Sequence, residues 1–546
     1  MQATNSICIG LSLVLLTIAA AAQVPFLNQA LNPASIAPGS KAFTLTVIGT
    51  GFKTSAFVNW DGSKRATTYI SSSQLQASIK ATDVASAKTA WITVTNPAPG
   101  GGTSNVIFFP VTTERSTLSF ADTTSFEADS VVVGDFNNDK KLDVVASSES
   151  ATNLYLGNGR GGFESPIQVT LGSFTQMVAG DFNGDGNLDI AGFWGENLYV
   201  YLGNGDGTFT QSFSLSTEPL EITAMATADF NGDGKLDLYI SGWETGPNYV
   251  QIYNGNGDGT FTLGGSYYTG TAPTGYIPGI PAIGDFTGNG YLGLVIGGES
   301  EDGVFTVSVW TGSADGGLTQ TGTVSGATGF NFAAADLTNN GKLDVVTDTG
   351  CVLLGNGNGT FSSCSYLSST GVIDGIGDFN GDAILDLANN QVAILLGAGN
   401  GTFPTVFTLG GGGGHPPGAI GDFNNDGLLD VVSSTGYVFL QKTVVLAPAD
   451  LFFGDQSVGA KSAPQTATLT NIADSALTID KISITGKNSS QFAQSNNCGT
   501  SLAAGDSCTI SVTFAPTKSG SFTAELSVTY KGAASPQTAY LSGTGT

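Results

Sequence analysis

Seven times between Asp135 and Asp430 the chain repeats a nine-residue pattern that sets oxygen-bearing side chains at positions one, three and five and, in six of the copies, at nine. In the second copy these are Asp181, Asn183, Asp185 and Asp189, and Asn187 at position seven can add its backbone carbonyl. Carboxylates, an amide and a carbonyl crowded into one loop make a hard, all-oxygen donor set. Ca²⁺ accepts about six to eight oxygens in flexible geometry, so it suits such a loop better than Mg²⁺ or the nitrogen- and sulfur-preferring Zn²⁺. Without a cation the carboxylates repel one another, and a plain turn has no evident need for Asp at position nine.

The equivalent sets are Asp135, Asn137, Asp139, Lys141 and Asp143 in the first copy and Asp229, Asn231, Asp233, Lys235 and Asp237 in the third. The sixth has Asp378, Asn380, Asp382, Ile384 and Asp386, and the seventh Asp422, Asn424, Asp426, Leu428 and Asp430, position seven always offering only its carbonyl. With the second copy these are the five expected Ca²⁺ sites. The fifth copy (Asp336, Thr338, Asn340, Lys342, Asp344) has lost a carboxylate and is a sixth candidate, with a metal-free turn as the equal alternative. The fourth, from Asp285, has Thr287, Asn289 and Gly293 and is expected to be empty. Position four is Gly or Asn in every copy, the residues that tolerate the left-handed backbone needed to wrap one ion. Leu at position eight and Phe (Leu337 once) at position two are expected to plug the loop into a core. The start of the pattern resembles an EF-hand loop, yet no Glu at its twelfth position and no amphipathic flanking helix follow.

The elements that position these loops are strands. Copies are spaced by 42 to 56 residues, the length of a four-stranded propeller blade. Short β-branched runs flank each loop, and a Gly-rich turn such as Leu202–Phe209 precedes the last strand of a repeat. Six such turns serve seven loops, because the last repeat stops after Tyr437–Gln441. Ser116–Phe120, ahead of the first loop, is expected to complete the last blade and remove an exposed edge. The repeats resemble the FG-GAP (integrin-α-like, or VCBS) family over about residues 114–443, through the Asp-x-Asp/Asn-x-Asp-Gly-x-x-Asp loop and the Gly-Asn-Gly-Asp-Gly-Thr-Phe turn. The resemblance implies an all-β, seven-bladed, Ca²⁺-binding β-propeller.

Two flanking segments carry their own resemblances. Pro33–Ser40, Phe43–Phe52 and Asn96–Ser104 make residues 23–113 similar to IPT/TIG immunoglobulin-like domains, in which Trp60 and Trp91 are expected to pack rather than bind ligand. Phe452–Gly459, Thr468–Asn471, Cys498–Thr513 and Phe514–Thr517 make residues 444–546 similar to the ASH/choice-of-anchor-D immunoglobulin-like fold, which implies a second β-sandwich used as a spacer or interaction surface.

Residues 1–22 read as a secretory signal: an apolar run from Ile7 to Ile18 leads to Ala20–Ala22. No Lys or Arg precedes that run, so an uncleaved anchor stays open as the alternative; no other segment is apolar enough to span a membrane. Outside the signal lie four Cys in two close pairs, Cys351 with Cys364 and Cys498 with Cys508, expected as local disulfides of an extracellular protein. Forty-four acidic residues against 18 basic ones give a net charge of −26, which repels phosphate backbones and excludes nucleic acid as a partner.

No nucleophile motif accompanies the single histidine, His415, in its Gly-rich loop. On the rim opposite the acidic loops, Trp194 with Glu196, Trp243 with Glu244 and Tyr249, and Glu299 with Glu301 form a candidate ligand patch, weighed against scattered loop residues. The favoured function is a secreted or cell-surface, monomeric adhesion or recognition protein for an extracellular protein or glycan. The alternative is an extracellular carbohydrate-active enzyme, a lyase or hydrolase using rim carboxylates.

Overall fold

The structure is a computed structural model. It describes residues 24–546 apart from 28, 87, 98–100, 113, 116–117, 218–219, 244–246, 272–278, 300–304, 370, 390–392, 410–417, 434, 449, 474–475 and 532–534. The expected signal, Glu244, Glu301 and His415 lie outside the described residues, as do the side chains of Trp243 and Glu299.

The chain is all-β, with repeated four-stranded antiparallel sheets of the β-propeller kind between two β-sandwiches. The first repeat sheet runs Ser130–Gly134, Asp143–Ser147, Thr152–Tyr155 and Ile167–Thr170, each strand pairing with the next. Its second strand is buried on both faces and rich in Val, as suits a strand enclosed between neighbouring sheets. Five more sheets follow within Gln176–Ser216, Glu221–Thr271, Ala282–Val324, Phe332–Tyr366 and Ile373–Thr408. The seventh takes three strands from Ala419–Gly421, Asp430–Val432 and Tyr437–Gln441. Its fourth strand is Phe120–Ser125, with Gln441 opposite Phe120 and Tyr437 opposite Ser125. The completing strand thus comes from ahead of the first loop, as expected, but begins at Phe120, where the expected segment Ser116–Phe120 ends.

Each hydrophobic cluster bridges two sheets. Phe136, Val145 and Leu154 of the first sheet pack with Phe174, Ile190 and Tyr201 of the second, and Phe423, Val432 and Val438 of the seventh pack with Val131, Leu142 and Val144 of the first. Leu at position eight makes the bridge: a Cβ placed on Gly134 would meet Leu188 Cδ1 at 2.3 Å, and one on Gly421 would meet Leu142 Cδ1 at 2.3 Å. A second bridge is polar. Gly207 N–H donates to the Phe136 carbonyl at 3.3 Å, and Gly161 N–H donates to Phe423 at 3.1 Å, so seventh and first sheets are joined like their neighbours.

The amino-terminal sandwich stacks the sheet of Phe26–Leu27, Phe43–Thr50, Gln74–Ile79 and Ala66–Ser71 on that of Ser63–Lys64, Phe57–Trp60, Lys88–Thr95 and Ile107–Val111. Trp60 is buried against Phe109 in its core, while Trp91 is half-buried edge-on to Phe108. The carboxyl-terminal sandwich pairs a four-stranded with a five-stranded sheet around Leu469, Ile510, Phe514, Leu526 and Leu541. Both expected disulfides are present, Cys351–Cys364 and Cys498–Cys508, with Cα atoms 5.4 and 4.9 Å apart.

The glycine opening each Gly-rich turn lies against the carbonyl of position eight. At Gly203 a Cβ would stand 2.1 Å from the Leu188 carbonyl oxygen, a backbone atom that cannot rotate away. Gly203→Ala is expected to lower stability by about 2–3 kcal/mol, read as a lower urea midpoint at unchanged slope.

Candidate functional site

Each acidic loop is wound by its own side chains. Asp135 accepts N–H groups from positions five and six, Asp139 at 3.0 Å on Oδ1 and Lys140 at 2.9 Å on Oδ2. Asn137 Oδ1 accepts Asp139 N–H, and Asp139 Oδ1 accepts Lys141 N–H. The same ladder recurs at Asp181, Asn183 and Asp185, at Asp378, Asn380 and Asp382, and at Asp422, Asn424 and Asp426. In the third loop Asn231 and Asp233 make the corresponding bonds, while Asp229 takes the Gly234 N–H on Oδ2 and has the Gly232 N–H close enough to favour its anion. Position four has positive φ in all seven copies, the left-handed turn expected of Gly and Asn there. Position six does too, including Lys140 at 65° and Ala383 at 67°, a requirement not anticipated from the sequence.

Position nine has a structural employment of its own. Asp143, Asp189, Asp237, Asp344, Asp386 and Asp430 are fully buried. In each, Oδ2 accepts the position-two N–H at 2.7–3.0 Å. Oδ1 accepts the N–H that opens the following turn: Gly157, Gly203, Gly255, Gly355, Gly397 or, in the last repeat, Gln441. These bonds account for the recurrence of Asp there without an ion. Among the described residues no group of three or more His, Cys, Asp or Glu converges closely enough to hold a metal alone. A cation would therefore draw on positions one, three and five together with the carbonyl at position seven: Lys141, Asn187, Lys235, Ile384 or Leu428.

The chemistry of the donors fits a hard cation, and the third loop shows why. Asp229 is 3% exposed, and among the described residues its Oδ1 has no hydrogen bond of ordinary geometry. Burial, then the neighbouring Asp237 charge, pushes its carboxyl up to about 8. Asp386 is likewise pushed up to about 8 by burial and the Asp378 charge, and burial takes Asp143, Asp189 and Asp237 to about 7. Asp181 and Asp344 rise to about 6, and Asp135, Asp378 and Asp422 also rise, again through burial first. Ammonium groups offset little of this: Lys141 pairs with Asp139 at 2.7 Å and Lys235 with Asp233 at 3.6 Å, both near the surface. In the fifth loop Asp336 and Asn340 keep the ladder, Thr338 lies beside Asp344, and the Lys342 N–H donates to Asn340. In the fourth, Asp285 still accepts three N–H groups on Oδ1, while Gly293 leaves position nine without a carboxylate.

On the opposite rim Trp194 ends the strand Asp189–Trp194 and is 50% exposed, with its ring 6.1 Å from that of Tyr199. Glu196 follows in the same exposed turn. Leu171, 76% exposed, precedes Gly172, which lies under the Trp194 ring. Tyr249 is half-buried and edge-on to Tyr268, so its ring belongs to packing more than to an open patch.

Along its sequence the chain matches the FG-GAP-like repeat family over residues 135–192, 181–240, 229–296 and 378–433, and the HYDIN/CFA65/VesB-like, Ig-like domain family over 446–544. It carries FG-GAP-like repeats and an Ig-like domain of the HYDIN/VesB type. No curated protein sequence matches it. Among solved structures it is similar to an Agrocybe aegerita lectin, described as recognising non-reducing terminal N-acetylglucosamine, at 18% identity and a TM-score of 0.40, over 74% of this chain and 99% of that one. A second similarity, at 16% identity and a TM-score of 0.15, is to the ASH/PapD-like domain 7 of human CEP192, covering 19% of this chain and 85% of that one.

Two tests follow from the loops. Ion-free carboxyls that hold protons to higher pH when folded than the ordinary 3.8 stabilise the native state below that value and lose the contribution as pH rises toward about 8. In chelator the melting temperature should therefore fall from pH 5 to pH 8, and millimolar CaCl₂ should shrink the fall by neutralising the carboxylates. Relieving the left-handed strain at position six with Ala383→Gly should raise stability by about 1 kcal/mol, seen in the same melts.

Proposed function

We propose that this is a secreted or cell-surface protein whose repeats close into a seven-bladed, Ca²⁺-stabilised propeller that presents a ligand-binding rim. The bridges from Leu142 to Gly421 and from Gly161 to Phe423 support the closed ring. The observation that carries the calcium reading is Asp229, a buried carboxylate with one oxygen left without a donor inside an acidic loop. Asp135, Asp181, Asp378 and Asp422 head the other full donor sets, and Asp336 heads the sixth. We assign residues 23–113 to the IPT/TIG type from their motifs and two-sheet fold, the repeat array to 114–443 and the carboxyl-terminal sandwich to 444–546. Two disulfides, and the lack of any helix long and apolar enough to cross a membrane among the described residues, are compatible with an extracellular setting.

We read the chain as a monomeric binder rather than an enzyme. The exposed Trp194 and Leu171 beside Glu196 offer an apolar platform with an adjacent carboxylate, suited to the face of a sugar ring or to a peptide. A lyase or hydrolase acting on a carbohydrate is the other class, and turnover on the same glycans separates the two.

Calorimetric titration of chelator-stripped protein with CaCl₂ tests the metal reading, with uptake of about five ions expected. A site with a Kd near 10⁻⁴ M adds about 1.4 kcal/mol at millimolar calcium, so five sites add about 7 kcal/mol and raise the melting temperature. No uptake would remove the reading. For the rim, Trp194→Ala with Trp243→Ala should weaken retention on a glycan or protein-ligand array by at least about tenfold; unaltered retention eliminates this patch.

A further inference from the structure

The amino-terminal sandwich is seated on the acidic loops. Gln29 Nε2 donates to the Ile283 carbonyl at 2.8 Å, on the first strand of the fourth sheet. The Ser35 hydroxyl donates to Oδ2 of Asp378, position one of the sixth loop. The buried Thr89 hydroxyl lies close enough to Asp422, position one of the seventh, to favour its anion, though it makes no hydrogen bond of ordinary geometry. Gly51 approaches the third loop so nearly that a Cβ there would stand 3.4 Å from Asp229 Oδ2, and a Cβ on Gly427 of the seventh would stand 3.2 Å from the Lys88 backbone. The position-one carboxylates of these three loops are almost wholly buried, whereas Asp135, Asp181 and Asp336 stay partly open. Between the sandwich and the inner strands lies a cavity of about 690 Å³, walled by Trp91, Phe108, Val133, Ile283, Ile376 and Ile420.

A domain that covers acidic loops takes water away from their carboxylates, and that cost falls on the docked state alone. Ser35 and Thr89 bring hydroxyl dipoles. Positive charge comes from Arg115, near Asp426, and from Lys235 beside Asp233, set against nine carboxylates at positions one, five and nine of the three loops. Asp229 is buried with its Oδ2 beneath Gly51, and among the described residues its Oδ1 has no hydrogen bond of ordinary geometry, so the chain's own groups leave part of the cost uncompensated. A divalent cation compensates it. Ion uptake and docking then strengthen each other by one and the same factor.

We propose that the amino-terminal sandwich is a cation-dependent cap: Ca²⁺ in the third, sixth and seventh loops holds it on the rim over the cavity, and loss of the ions releases it. This rests on the calcium reading of the loops, and the test keeps the two apart. The full chain, stripped with EGTA and titrated with CaCl₂, is followed by calorimetry and by small-angle X-ray scattering. The stripped protein should show a larger maximum dimension, which CaCl₂ reverses. Ser35→Trp, a wedge in the seat, should keep the chain extended in CaCl₂ and weaken about three of the ions at least about fivefold. Ser35→Ala with Thr89→Val should act in the same direction and decides the matter if the Trp variant fails to fold. Absence of ion uptake overturns the calcium reading and the cap with it. Ion uptake with unchanged dimensions, and unchanged affinities in the variants, overturns the cap alone.

Discussion

In six of the seven repeat sheets a carboxylate shut off from water stands between the acidic loop and the Gly-rich turn. Asp189 is representative: Oδ2 takes the Phe182 N–H at 2.7 Å and Oδ1 the Gly203 N–H at 2.9 Å. Once the carboxyl is ionised, hydrogen bonds from neutral amides to it are roughly twice as strong as neutral ones, and both oxygens are served. One side chain thereby fixes two chain reversals that no backbone ladder could join. The fourth sheet manages without it because Gly293 lies against the Trp310 carbonyl, where a Cβ would come within 2.4 Å and no carboxylate has room.

Everything that passes from sheet to sheet hangs on those fixed reversals. With Phe182 held by its N–H, the Phe182 carbonyl meets Gly259 of the next turn at 3.1 Å. With the loop held, Leu188 reaches back over Gly134, and Leu236 over Gly180. The contacts are short, local and repeated, so each sheet is stabilised chiefly by its two neighbours, as in other repeat architectures. Pairing Phe120–Ser125 with Tyr437–Gln441 gives the seventh sheet the same four-stranded order as the others.

Much of this was legible because periodicity exposes it. Seven spaced loops, β-branched flanks and two close cysteine pairs gave the sheets, the turns and both disulfides. The residues that escaped are those whose job depends on a partner far along the chain. Asp at position nine is read from the sequence as a metal donor, and its backbone partners could not be seen there, since recurrence alone does not reveal a buried amide pair. Gly134 and Gly421 precede the motif and look like strand ends until the next loop's Leu is seen above them. Lys140 and Ala383 hid the left-handed turn at position six because five Gly elsewhere made it look like plain loop composition. Ser35 and Thr89 carry no signal at all: a hydroxyl in a sandwich loop acquires meaning only when Asp378 or Asp422 lies across from it.

The division of labour within a loop bears on what an ion can and cannot do. Position nine accepts a backbone N–H on each of its oxygens, so it ties loop to turn with groups of the chain itself. Positions one and five carry the charge and accept at most a few N–H groups from one side; apart from the surface pairs Lys141–Asp139 and Lys235–Asp233, that charge is left to solvent or to an ion. Where solvent remains, at Asp139 and Asp185, the charge is tolerable. Where the amino-terminal sandwich lies over them, Asp229, Asp378 and Asp422 are almost wholly buried, and it is there that the proposed ion would matter to the contact. On the proposed reading, acidity on one rim serves contact between the chain's own domains, and the opposite rim, with Trp194 and Leu171 exposed, is the one offered to other molecules.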